Sequence, residues 1–177
     1  LRVLEHDIEA RDTFRVTSIA RTWCDLATTD LTLGELVAAG DRALWVRAPL
    51  TDDARLRLAV EEYDGRRGSR RMRDALLLLD GRADSPPESE LRVAIVSSRL
   101  PRPEVNAPLH LGHATIHPDM MWPDHRVLLE YEGDHHRTVR HQWRHDIRRY
   151  DGLRRAGWTV IQATGDDYAD PRRLLAR

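Results

Sequence analysis

The chain contains no lysine: its 28 strongly basic residues are all arginine, set against 29 acids for a net charge of −1 at pH 7. Near-balance of this kind excludes the global basic field of a histone-type DNA binder, so any affinity for nucleic acid has to come from local patches. There is one cysteine, Cys24, which excludes an internal disulfide framework and fits a reducing cytoplasm. No apolar run is long enough to cross a bilayer, and no secretory signal is read. What the chain does have is 177 residues, room for one good core or two small domains. It opens on Leu1, inside patterned sequence, as expected of a piece of a longer protein.

Residues 1–15 alternate through Val3, Leu4, Ile8 and Phe14, as at the end of a sheet or in a linker. From Thr17 the period turns helical: Ile19, Trp23, Leu26 and Ala27 share one face, with Thr17 or Ser18 as N-cap. Further helices are expected over Thr32–Trp45, Thr51–Tyr63 and Ser69–Leu79. Their stripes are ordinary and carry no catalytic clustering. The polar stretch Asp80-Gly81-Arg82-Ala83-Asp84-Ser85-Pro86-Pro87 is the best break, dividing a helical region 1–84 from a second domain 85–177. In that domain the pattern predicts a helix over Pro86–Ser98 capped by Ser85, then strands near 103–111, 114–121 and 126–133. A long helix over Thr138–Ala156 closes at Gly157, followed by a strand over Trp158–Ala163 and a short helix from Pro171.

The chemistry concentrates at residues 117–137. Val127-Leu128-Leu129 suits a buried strand, and Glu130 and Glu132 follow it at a spacing that sends both to one face. A hairpin through Trp122-Pro123-Asp124-His125 would bring Asp119 beside them. Carboxylates held together repel one another unless a cation lies between them. Hard oxygen donors suit Mg²⁺ or Mn²⁺, which keep several waters for phosphate chemistry.

These motifs resemble the restriction-endonuclease-like nucleases, the PD-(D/E)XK superfamily, and within it the branch related to very short patch repair endonucleases. The resemblance runs through Ser85-Pro86-Pro87-Glu88, Pro118-Asp119, Glu130-Tyr131-Glu132-Gly133-Asp134-His135-His136, Asp146 to Arg149, and Gly157-Trp158. It covers residues 85–177 and implies an α/β fold, a mixed sheet flanked by helices, preceded here by a small helical domain. The implied activity is divalent-metal-dependent endonucleolytic hydrolysis of DNA, the DNA double-stranded. The implied ligands of Mg²⁺ (or Mn²⁺) are Asp119, Glu130 and the main-chain carbonyl of Tyr131, with Glu88 or Glu132 ligating directly or through water. His136 is selected as general base or phosphate contact. The position two after Glu130, where many relatives carry lysine, holds Glu132. A weaker resemblance links residues 16–22 to abortive-infection antitoxin-type proteins. The lysine-free, Ala- and Leu-rich composition is that of a GC-rich bacterial genome.

Arg137, Arg140, Arg144 and Arg148 step by three or four along one flank of the predicted long helix, directly after the acids. A charge stripe is usually a solvated face, but this one could run along a phosphate backbone. Two readings stand against the enzyme: a non-catalytic, antitoxin-like DNA-binding regulator with a degenerate nuclease domain, and a zinc-stabilised module. The zinc module would use His141 with His145 or His110, His113 and His117.

Overall fold

The computed structural model describes residues 3–112, 114–133 and 150–175. The chain divides into two compact units, Leu1–Ser89 and Glu90–Arg177.

The first unit begins with a hairpin rather than a linker. Strands β1 (Ile8–Arg11) and β2 (Phe14–Thr17) pair antiparallel, Ile8 opposite Thr17, across a turn in which Asp12 takes φ 50°. Four helices follow: α1 (Ile19–Leu26), α2 (Leu33–Ala43), α3 (Asp53–Glu62) and α4 (Ser69–Leu76). Three start where a side-chain oxygen takes up an N-terminal amide: Ser18 accepts from Arg21 N–H, Thr32 from Glu35 N–H, and Asp52 from Arg55 N–H. Their apolar faces close on Trp23, Leu36, Leu56 and Met72, all essentially solvent-free, and the Trp23 indole donates to the Leu36 carbonyl at 2.9 Å. Arg21 is also buried, and it is matched: it donates to Asp7 at 2.8 Å and to both oxygens of Asp25, while the Tyr63 hydroxyl donates to Asp25 at 2.9 Å. Burial also pushes the Cys24 thiol up to about 12, which makes it an inert core residue.

Helix α5 (Pro86–Ser97) begins in the first unit and continues into the second. The unit boundary therefore falls inside the helix, beyond the polar break at 80–87. Its first turn is held by Ser89, whose hydroxyl donates to the buried carboxylate of Asp41 at 2.6 Å.

The second unit is α/β. Strands β3 (Glu104–Val105), β6 (Met120–Trp122), β7 (Val127–Glu132) and β8 (Thr159–Thr164) form one mixed sheet in the order β3-β6-β7-β8. A separate hairpin joins β4 (Leu109–Leu111) to β5 (Ala114–Ile116). The sequence suggests continuous strands over 103–111 and 114–121, and each is broken in two. Asn106 turns the first with φ 46° ahead of Pro108, and Pro118 has no amide hydrogen to give the ladder in the second. β7 pairs antiparallel with β6 and parallel with β8.

Because strand side chains alternate, β7 sends Leu129 to one face and Leu128 to the other. Leu129 packs with Met120, Ala163, Leu91 and Ile95 of α5, and Leu174; Leu128 packs with Met121, Ala107, Tyr150 and Leu153. Residues 150–155 are helical (α6), and their end is locked by glycine. Gly157 takes φ 83°, its N–H reaching the Arg154 carbonyl and Trp158 N–H the Leu153 carbonyl. After β8, α7 (Gly165–Ala169), unforeseen in the sequence, starts at a Thr164–Asp167 capping box, and α8 (Pro171–Leu175) follows. Among the described residues no helix is long and apolar enough to cross a membrane.

Candidate metal site

The hairpin of β6 and β7 sets the acids. Met120 stands opposite Leu129 at the end of the ladder, so Asp119, one residue before β6, lies next to the stretch of β7 that carries Glu130. Strand alternation puts Glu130 and Glu132 on the Leu128 side of the sheet. The connection is tight: a 3-10 turn over Pro123–His125, with Arg126 in left-handed backbone, starts β7.

Asp119 occupies the bend just before β6, half-buried, and its Oδ2 accepts from the Tyr131 amide at 2.7 Å. The Asn106 amide donates to its main-chain carbonyl at 3.2 Å. Glu130 follows two core leucines and is 7% exposed, with Oε1 withdrawn from solvent. Glu132, two residues on, is half-buried. Its Oε1 accepts from the Tyr150 hydroxyl at 2.5 Å and from Gln162 Nε2 at 3.3 Å. Gln162 stands opposite Glu130 in the parallel register. Thus β7, β8 and α6 bring Glu130, Glu132, Gln162 and Tyr150 to one region of one sheet face, with Asp119 bonded to the edge of β7 beside them.

Tyr150 and Gln162 are the contributors the sequence reading missed. A glutamine inside Val160-Ile161-Gln162-Ala163 is a visible polar interruption, but only the β7–β8 register places it beside the acids.

Glu88 has a structural task in the first unit. It is the third residue of α5, buried at 7% exposure, and accepts from Ser85 Oγ at 2.7 Å and from the Asp84 amide at 2.9 Å. Its own amide reaches Ser85 Oγ at 3.4 Å, so Ser85 caps the helix and the Glu88 carboxylate braces the residues just before it. His136, Arg137, Arg140, Arg144 and Arg148 lie outside the described residues, as do His113, His141 and His145. Of the zinc candidates that are described, His110 engages Thr115 Oγ1 at 2.9 Å and His117 the Asn106 carbonyl at 3.1 Å. Among the described residues no group of three or more His, Cys, Asp or Glu side chains is placed to hold a metal.

No family model matches the chain, and no solved structure matches it. Two curated proteins do, both described only as uncharacterised and both from Mycobacterium tuberculosis, one from strain CDC 1551 and one from strain H37Rv. Each is 38% identical over 122 residues, 67% of this chain and 45% of the relative. The match thus spans under half the length of those relatives.

Proposed function

We propose that the second unit is a divalent-metal-dependent endonuclease domain of the restriction-endonuclease-like type, acting on DNA. The observation that carries the reading is the bond from the Tyr131 amide to Asp119 Oδ2, which holds Asp119 against β7 next to the buried Glu130. A carboxylate as buried as Glu130 beside a second acid is an arrangement that a hard divalent cation compensates. Asp119 and Glu130 would supply two carboxylates and water most of the remainder, with Glu132 close by on the same strand. That is the habit of Mg²⁺ or Mn²⁺ rather than of a zinc cage.

Asp119, Glu130 and the Tyr131 carbonyl would hold the ion. When bound, it supplies charge neutralisation at the scissile phosphate and a more acidic water. Asp119 also has a positioning duty, since its bond to the Tyr131 amide fixes the bend before β6 against β7. Tyr150 and Gln162 hold Glu132 in a fixed rotamer beside the site. His136 takes the proton of the attacking water in this scheme.

The test is nicking of supercoiled plasmid. Activity is expected with Mg²⁺ or Mn²⁺, none with EDTA, and none in Asp119→Ala or Glu130→Gln at any metal concentration. Equal nicking by wild type and Asp119→Ala would identify a contaminant and end the enzymatic reading. A second reading, the non-catalytic DNA-binding regulator, is favoured by the structural hydrogen bonds that already occupy Glu88, Asp119 and Glu132. Its signature is DNA binding unaffected by metal, with no cleavage under any condition.

A further inference from the structure

The second unit contains an open groove of about 1080 Å³ that the acids do not line. Its walls are apolar: Leu109 and Ile116 from the β4–β5 hairpin, Pro123 from the turn before β7, and Trp158 at the start of β8. Its polar lining is cationic or neutral, with Arg126, Arg155 and His110 and no acid among the described residues. Arg126 and Arg155 are exposed and form no ion pair among the described residues, whereas the adjacent Arg154 leans to Asp151 at 3.9 Å. Arg126 also reaches across to Gly157. Its guanidinium lies over Gly157, with Nη1 only 3.0 Å from where a β-carbon on that glycine would stand.

The groove shares a sheet face with the acids. Trp158 and Val160 pack in the same cluster as Leu128, and Gln162 and Glu130 continue that face along the two strands. Four residues separate Trp158 from Gln162, about 13 Å of strand.

We propose that this groove holds an unpaired segment of DNA, its bases against Trp158 and the apolar walls and its phosphates on Arg126 and Arg155. A duplex would present phosphates and groove edges but leave the apolar walls unfilled. Exposed base faces fill them, and arginines flanking an aromatic residue are the usual means of holding a single strand. Recognition of RNA as such needs groups aimed at the ribose 2′-hydroxyl, and the apolar walls supply none, so a DNA strand fills the groove without losing a contact. The inference rests on the nuclease reading only for what happens to the strand at the acids; binding stands by itself.

The experiment measures anisotropy of a labelled oligothymidylate, its duplex counterpart and an oligouridylate against the full chain, with Ca²⁺ in place of Mg²⁺. Oligothymidylate is expected to bind most tightly. Arg126→Gly with Arg155→Ala should weaken it about tenfold or more and flatten the slope of log K against log salt by roughly 1.4, two single-strand contacts' worth. Trp158→Phe should weaken binding several-fold at unchanged salt slope. Asp119→Asn should bind like wild type while failing to cleave in Mg²⁺, so failure of the nuclease reading shows separately. Unchanged binding in a double-arginine variant whose circular dichroism is native would overturn the groove assignment. So would tighter binding of duplex or of RNA.

Discussion

Arg126 holds φ 52° and ψ 41°, a left-handed backbone that costs a residue with a β-carbon about 1 kcal/mol or more. Nothing in the turn requires a side chain there, since the bonds from the Arg126 amide to the Pro123 carbonyl and from the Thr159 amide to the Arg126 carbonyl are main-chain only. Arg126→Gly is therefore expected to leave stability unchanged or raise it by up to about 1 kcal/mol, while removing a groove cation. Gly157→Ala should do the reverse and cost about 1–2 kcal/mol, because φ 83° is left-handed backbone that strains a β-carbon, while the exposed guanidinium end can swing aside. Urea titrations of the two variants read the contrast directly. A loss in Arg126→Gly would mean that the arginine is itself part of what holds the turn, and a gain in Gly157→Ala would mean that the left-handed backbone there carries no strain.

Helices announce their starts through neighbours in sequence, and sheets do not. Ser18, Thr32 and Ser85 were legible as caps because the oxygen and the amide it accepts from lie three residues apart. The same locality gives Ser85-Pro86-Pro87-Glu88 two meanings: it carries the nuclease-motif resemblance, and it also holds the helix start, where Glu88 accepts from Ser85 Oγ and the Asp84 amide. Glu88→Ala should cost about 1 kcal/mol in denaturant unfolding and leave nicking intact in the folded fraction. A loss of nicking larger than the unfolded fraction explains would return Glu88 to the metal site. The strand breaks at Asn106 and Pro118 were marked by prolines at 108 and 118, but apolar alternation runs straight through them. The side-by-side placement of Glu130 and Glu132 was legible because a strand's own period decides it. Gln162 and Tyr150 were not, because they arrive through a parallel pairing and a helix distant in sequence.

At the scale of the whole chain, a net charge of −1 means that the DNA proposed as substrate would have to be held by local arginines against an indifferent overall field. Replacing Arg140, Arg144 and Arg148 together is expected to flatten the salt dependence of duplex binding by about two to three units, for all sequences alike. An unchanged slope would return that stripe to an ordinary solvated face. The order in which β7 finds its two partners has a consequence for time. Its pairing with β6 closes through a short turn, whereas Val127 meets Thr159 only after residues 133–158 have been bridged. Closing the longer loop costs more chain entropy, so the antiparallel hairpin is favoured to form first and β8 to dock onto it. Truncations at Met121 or Leu128 should therefore slow refolding, while those at Val160 or Ala163 should chiefly speed unfolding. The two acids would then lie beside one another in a nascent hairpin before the rest of their surroundings exists, and a divalent ion that bridges them would hasten folding as well as stabilise its product.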